Sequence, residues 1–146
     1  MFRTALKKTG KDQKWITQEG IVMKPITSMN KINKLTPKEQ HLAEDTFLFC
    51  MANKQEHYTI PFLAARAGVS PTKLKNVYHQ VYGTSIFTHI RKEKMLWAAN
   101  KLAISNLKVI DIAEACGYDN ASKFSAAFCS VIGCLPTEYR NRVRLE

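Results

Sequence analysis

No stretch of this sequence approaches the roughly 18 consecutive apolar residues that cross a bilayer. Residues Met1 to Gly10 also lack the apolar core of a secretory leader. The four cysteines, Cys50, Cys116, Cys129 and Cys134, form no Cys-x-x-Cys pair, and no histidine stands at zinc-ligand spacing from them. They lie in apolar surroundings, where a free thiol packs as a small hydrophobe, so neither a metal nor a cofactor is expected. A phosphate-cradling glycine loop, a hydrolase triad and a carboxylate pair are all missing, and with them the common signatures of an enzyme. Acidic residues are scarce too: 12 Asp and Glu stand against 22 Lys and Arg, a net charge of +10. These absences point to a non-enzymatic chain of the reducing cytoplasm, with no membrane partner and an attraction to polyanions.

The positive charge is uneven. Residues 1–35 hold 8 Lys and Arg against 2 Asp and Glu, so a quarter of the chain carries +6 of the excess. This stretch has no sustained periodicity and reads as a basic tail or linker, with a short strand at Ile21-Val22-Met23 and a small docked segment around Trp15 and Ile16. Patterned sequence begins at Thr36-Pro37-Lys38-Glu39, an N-cap followed by Pro at the first helical position and Glu placed to close a capping box. The helix runs to about Asn53, with Leu42, Thr46, Phe49 and Ala52 on one face. From there the periodicity is helical throughout, broken at Gly68, Gly83, Gly117 and Gly133, so the fold class is all-α. About 110 patterned residues suffice for one domain that folds unaided.

One motif occurs twice. The first copy is Leu63-Ala64-Ala65-Arg66-Ala67-Gly68-Val69-Ser70, followed by Leu74, Tyr78, Val81 and Gly83. The second is Ile112-Ala113-Glu114-Ala115-Cys116-Gly117-Tyr118, followed by Asn120, Phe124, Phe128, Val131 and Gly133. Each copy reads as helix, tight turn, helix. Gly68 and Gly117 end the first helix in a left-handed conformation, Ser70 and Asn120 cap the second, and the small Ala64 and Ala113 let the two helices approach. Two helix-turn-helix subdomains therefore occupy about 60–82 and 108–132. A helix from about 85 to 104 joins them, with Phe87, Ile90, Met95, Ala98 and Leu102 on its apolar face. About 20 residues at 1.5 Å rise span roughly 30 Å, close to the ~34 Å between successive major-groove segments on one face of DNA.

These residues carry a resemblance. The run from Leu63 to Arg140, including Ala98, Leu102 and the closing Pro136-x-Glu138-Tyr139-Arg140, is similar to the DNA-binding domain of the AraC/XylS family. The resemblance implies that residues 36–146 form such a domain and that the protein is a sequence-specific transcription regulator of double-stranded DNA, resident at the nucleoid. Such a regulator has RNA polymerase as a further partner. With only about 35 residues ahead of the first helix, the chain resembles the short members without a sensor domain, or a piece of a longer one. It departs from the family pattern at Lys94 and Trp97, where arginine is frequent, and at Leu135, where a Ser or Thr cap usually precedes the proline. The last helix is accordingly expected to start loosely.

The first recognition helix offers Thr72, Lys75, Asn76 and His79 opposite its apolar stripe. Asn can pair bidentately with adenine, and Lys can reach the guanine acceptors. The resemblance places Thr72, Lys75 and Asn76 at base-reading positions. The second recognition helix offers only short side chains beside Lys123, namely Ala121, Ser122, Ser125 and Ala126. Arg66, Lys73, Lys123 and Arg140 are candidate phosphate contacts. With two reading heads in one chain, a monomer on DNA is expected. Two other functions compete: a nonspecific architectural or adaptor protein, and a DNA repair protein that accepts alkyl groups on cysteine, which needs an activated thiolate.

Overall fold

A computed structural model describes residues 7–9, 14–16, 22–23 and 35–145. The first three segments are short strands, β1 (Lys7–Thr9), β2 (Lys14–Ile16) and β3 (Val22–Met23), paired antiparallel in the order β1-β2-β3. Lys8 faces Trp15 across the first pair, and Trp15 faces Met23 across the second. A strand was expected only around Val22. Strands of two or three residues are too short to display the alternation by which a strand is recognised.

Seven helices follow among the described residues: α1 (Pro37–Ala52), α2 (Ile60–Ala67), α3 (Pro71–Tyr82), α4 (Ile86–Ile104), α5 (Val109–Ala115), α6 (Ala121–Ile132) and α7 (Pro136–Leu145). The class is all-α, as the periodicity predicts. The start of α1 is a complete capping box: Thr36 accepts from the Glu39 amide at 3.2 Å, while the Glu39 carboxylate accepts from the Thr36 amide at 3.0 Å. That bonding lowers the Glu39 pKa, with a smaller contribution from nearby Lys73. Its buried face differs from the expected one: Ala43, Thr46, Phe47 and Cys50 face the core, Leu42 and Phe49 are half-buried and Ala52 is exposed. The helix is apolar at most positions from 47 to 52, so its own pattern does not select a face; packing against α3 and α4 does.

Two hydrophobic cores result. The first gathers Ala43, Phe47, Leu63, Leu74, Tyr78 and Val81 from α1 to α3 with Ile86 and Ile90 from the start of α4. The second gathers Met95, Ala98 and Leu102 from the rest of α4 with Ile112, Ala113, Phe124 and Phe128 from α5 and α6. The linker helix is thus a wall of both. Its expected apolar face holds except at Phe87, whose ring is 48% exposed.

The closing motif secures the second core. In place of a hydroxyl cap on Leu135, the Glu138 carboxylate accepts from the Leu135 amide at 2.9 Å, so α7 starts firmly rather than loosely. Pro136 is buried, and Tyr139 meets Phe128 edge-on at 5.8 Å.

Candidate nucleic-acid interface

The two turns are built alike. At the first, the Val69 amide donates to Ala64 O at 3.0 Å and the Gly68 amide to Ala65 O at 3.1 Å. At the second, the Tyr118 amide donates to Ala113 O and the Gly117 amide to Glu114 O, both at 2.9 Å. Each set satisfies helix-end carbonyls as a Schellman-type stop does. It requires a positive φ, +68° at Gly68 and +84° at Gly117. Ser70 then caps α3 by accepting from the Lys73 amide at 3.1 Å. Asn120 caps α6 by accepting from Ser122 at 2.8 Å and Lys123 at 3.1 Å. Ala64 and Ala113 are fully buried where the paired helices meet.

This construction fixes which face of each second helix points outward. On α3, Leu74, Val77, Tyr78 and Val81 are buried, while Thr72, Lys73, Lys75, Asn76 and His79 are exposed. On α6, Phe124 and Phe128 are buried, Ala121, Ser122, Lys123 and Ala126 are exposed, and Ser125 is half-buried. The same face of α3 also exposes Gln80, one turn beyond Asn76 and with the same amide chemistry. Lys73 comes only within 3.7 Å of Glu39 and is half exposed, so its ammonium is free to turn outward.

Two of the expected phosphate contacts have partners within the chain, Arg66 at the exposed surface and Arg140 half-buried. The Arg66 guanidinium pairs with Asp45 at 2.7 Å and lies 3.9 Å over the Phe49 ring. Arg140 donates to the carbonyls of Leu102 and Leu107, and Arg144 to that of Ser105. Arg140 and Arg144 thus bind carbonyls at and just beyond the C-terminal end of α4, where positive charge is favoured by the helix dipole. The sequence shows that α7 is basic but not that its arginines turn back onto α4.

The second turn also rests on the first subdomain. His57, in the loop after α1, donates from Nε2 to Gly117 O at 2.7 Å. A Cβ at Gly117 would stand 2.9 Å from Gln55 O, a backbone atom that cannot swing away. Glycine is therefore required there twice, for its φ and for this approach. No such neighbour exists within 4 Å of Gly68.

The thiols of Cys50 and Cys116 lack the chemistry of an alkyl acceptor. Burial pushes both Cys50 and Cys116 up to about 11, although Lys94 lies near both and pulls the other way. Basic neighbours that the sequence did not reveal are thus present, yet desolvation outweighs them, and a thiolate is what such transfer requires. Among the described residues no His, Cys, Asp and Glu group is arranged to hold a metal, and no helix is long and apolar enough to cross a membrane.

Two capped helix pairs with matching turns and solvent-facing second helices define a DNA-binding module of the tandem helix-turn-helix class. A helix-turn-helix domain model matches residues 63–142, more than half of the chain. The chain belongs to this family and carries a DNA-binding domain of the AraC/XylS type. It is 36% identical over 87 residues to the RCS-specific transcriptional activator RclR of Escherichia coli, covering 60% of this chain and 31% of that one. It is 25% identical over 107 residues to the transcriptional activator AarP of Providencia stuartii, covering 73% and 79%. Among solved structures, the C-terminal domain of AraT, a response regulator of Geobacillus stearothermophilus, superposes with a TM-score of 0.64 at 29% identity, covering 75% of this chain and 88% of that one. The chain thus spans about a third of the first of these relatives and most of the other two.

Proposed function

We propose that the protein binds its operator as a monomer, with α3 and α6 in two successive major-groove segments and α4 as the spacer between them. The observation that carries this reading is the repeated turn, which presents the second helix of each pair in the same way. The length of α4 supports it: 19 residues extend about 28 Å, commensurate with one helical repeat of DNA. Thr72, Lys75, Asn76, His79 and Gln80 read bases from α3, while Ser122, Ser125 and Ala126 touch them from α6. Lys73 and Lys123, each at the start of a recognition helix, contact phosphates alongside the backbone amides there. Residues 36–146 form the DNA-binding unit, and 1–35 a basic arm. RNA polymerase is the partner in activation, in keeping with the two relatives described as activators.

Selection of bound sites from random DNA, followed by sedimentation of the complex on the minimal site, tests this. The expected site is asymmetric, about two helical turns long, and holds one protein. A palindromic consensus with two proteins per site contradicts the monomer, and equal affinity for all sequences points instead to an architectural protein.

A further inference from the structure

A cleft of about 250 Å³ opens between the end of α1, the loop after it and the first half of α4. Cys50, Tyr58, Phe87 and Ile90 make its apolar walls, and Lys94 contributes a cation. Lys94 is the unusual member. It is 9% exposed, yet no carboxylate among the described residues stands within salt-bridge distance of its ammonium. Its electrostatic neighbours are the thiols of Cys50 and Cys116 and a second cation, Lys54. Burial holds its pKa below the usual lysine range. Its ammonium is not a sealed orphan, since no side-chain nitrogen or oxygen among the described residues is both buried and without a hydrogen-bond partner; a cation on a largely buried stem with no carboxylate beside it is open to an anion that enters the cleft.

Phe87 gives an independent sign. It belongs by periodicity to the core face of α4, but nearly half of its surface is open, on the wall of this cleft. An uncovered aromatic wall beside one placed charge is the make-up of a small-molecule site. The volume lies at the small end of such pockets, which restricts the ligand to about a single ring. Glu56, exposed on the rim, opposes a second negative charge.

We propose that this cleft binds a small monocarboxylate with an apolar body, its carboxylate paired with Lys94 and its body lying against Phe87 and Ile90. The site lies within the DNA-binding unit itself and does not depend on which operator the two helices read. His57 lines the same cleft and makes the 2.7 Å bond to Gly117 O, so an occupant touches the strut between the two subdomains.

Sodium benzoate is the probe. It is titrated into the full chain and followed by amide chemical shifts, with sodium chloride at matched ionic strength as the reference. The expected result is a saturable shift confined to residues around 50, 56–58 and 87–94, with a dissociation constant on the order of 1 mM for a ligand of so few atoms. Lys94→Met, which relieves the buried charge and keeps the stem, weakens benzoate by about ten-fold or more. Phe87→Ala, at a ring already open to solvent, weakens it as well. Phthalate, of similar shape with a second charge, binds more weakly than benzoate. Absence of a saturable shift in the cleft, or benzoate affinity unchanged in either variant, overturns the proposal.

Discussion

His89 is held on α4 by aromatic neighbours, stacked on Phe47 at 4.7 Å and tilted against Tyr82 at 4.7 Å and Tyr78 at 5.9 Å. Burial depresses its pKa to about 4, and Lys92 adds to the effect. The ring is therefore neutral at pH 7. Its Nδ1 and the Tyr78 hydroxyl share a hydrogen bond of 2.8 Å, and that hydroxyl keeps its proton because burial raises its pKa strongly. The 3.8 Å approach of Nε2 to Glu93 is then no ion pair, and burial raises the Glu93 pKa as well. In the unfolded chain the imidazole takes up a proton near 6.5, the ordinary value. Its contribution to stability is thus complete above about pH 6.5 and is lost as pH falls toward 4, an effect of roughly 3 kcal/mol. Urea midpoints measured from neutral to mildly acid pH should fall over that window. The fall should be shallower in His89→Gln, which keeps an acceptor for Tyr78 and cannot be protonated there. Parallel pH curves for the two proteins count against a neutral His89.

Among the elements, the proposed reading of DNA makes the two recognition helices unequal readers. α3 exposes Lys75, Asn76 and Gln80, all able to make directional bonds, whereas α6 exposes Ser122 and Ala126 and half buries Ser125. A good bidentate contact discriminates by roughly 1–3 kcal/mol. Asn76→Ala and Lys75→Ala should accordingly lower the ratio of specific to nonspecific affinity, with base preference relaxing at one end of the site. Ser122→Ala should cost less than about 1 kcal/mol, and Lys123→Ala should weaken all sequences alike. Competition binding against a panel of single-base variants measures each. A larger shift of preference from Ser122→Ala than from Asn76→Ala sinks this ranking.

The same helices mark what the sequence discloses. Helix starts were legible because Thr36, Ser70 and Asn120 cap through bonds only a few residues long. The outward face of α3 was legible because its apolar stripe is narrow. The face of α1 was not, because apolar residues surround it. Nor were the pairings of Arg66 and Arg140 within the chain, whose partners lie 21 and 38 residues away. An arginine on a recognition surface and an arginine bracing a helix end look alike until distant backbone is brought beside them.

For the whole molecule, the positive charge is concentrated ahead of the helices. Residues 1–35 carry +6, and a cationic arm adds affinity by releasing counterions without reading bases. Removing those residues should flatten the slope of log affinity against log salt and lower affinity for every sequence by a similar factor. Ranked affinities over several sites at two or more salt concentrations provide the check. If the ranking itself collapses, the arm reads bases, as minor-groove arms do.

Because α4 is a wall of both cores, neither half has a complete interior of its own. Ile86 and Ile90 close one, Met95, Ala98 and Leu102 close the other, and the arginines of α7 hold the far end. Melting either half strips one side of a helix that the other half needs. Calorimetry should accordingly record one transition, with calorimetric and van't Hoff enthalpies in agreement. The most slowly exchanging amides should lie in the middle of α4, where opening requires both interiors to come apart at once. Two resolved transitions would mean that the cores are thermodynamically separate despite the shared helix. In a molecule of this construction, a cavity-forming change such as Leu102→Ala in the second core lowers the melting temperature of the first as well, so damage to one reading head is felt by the other through the common scaffold.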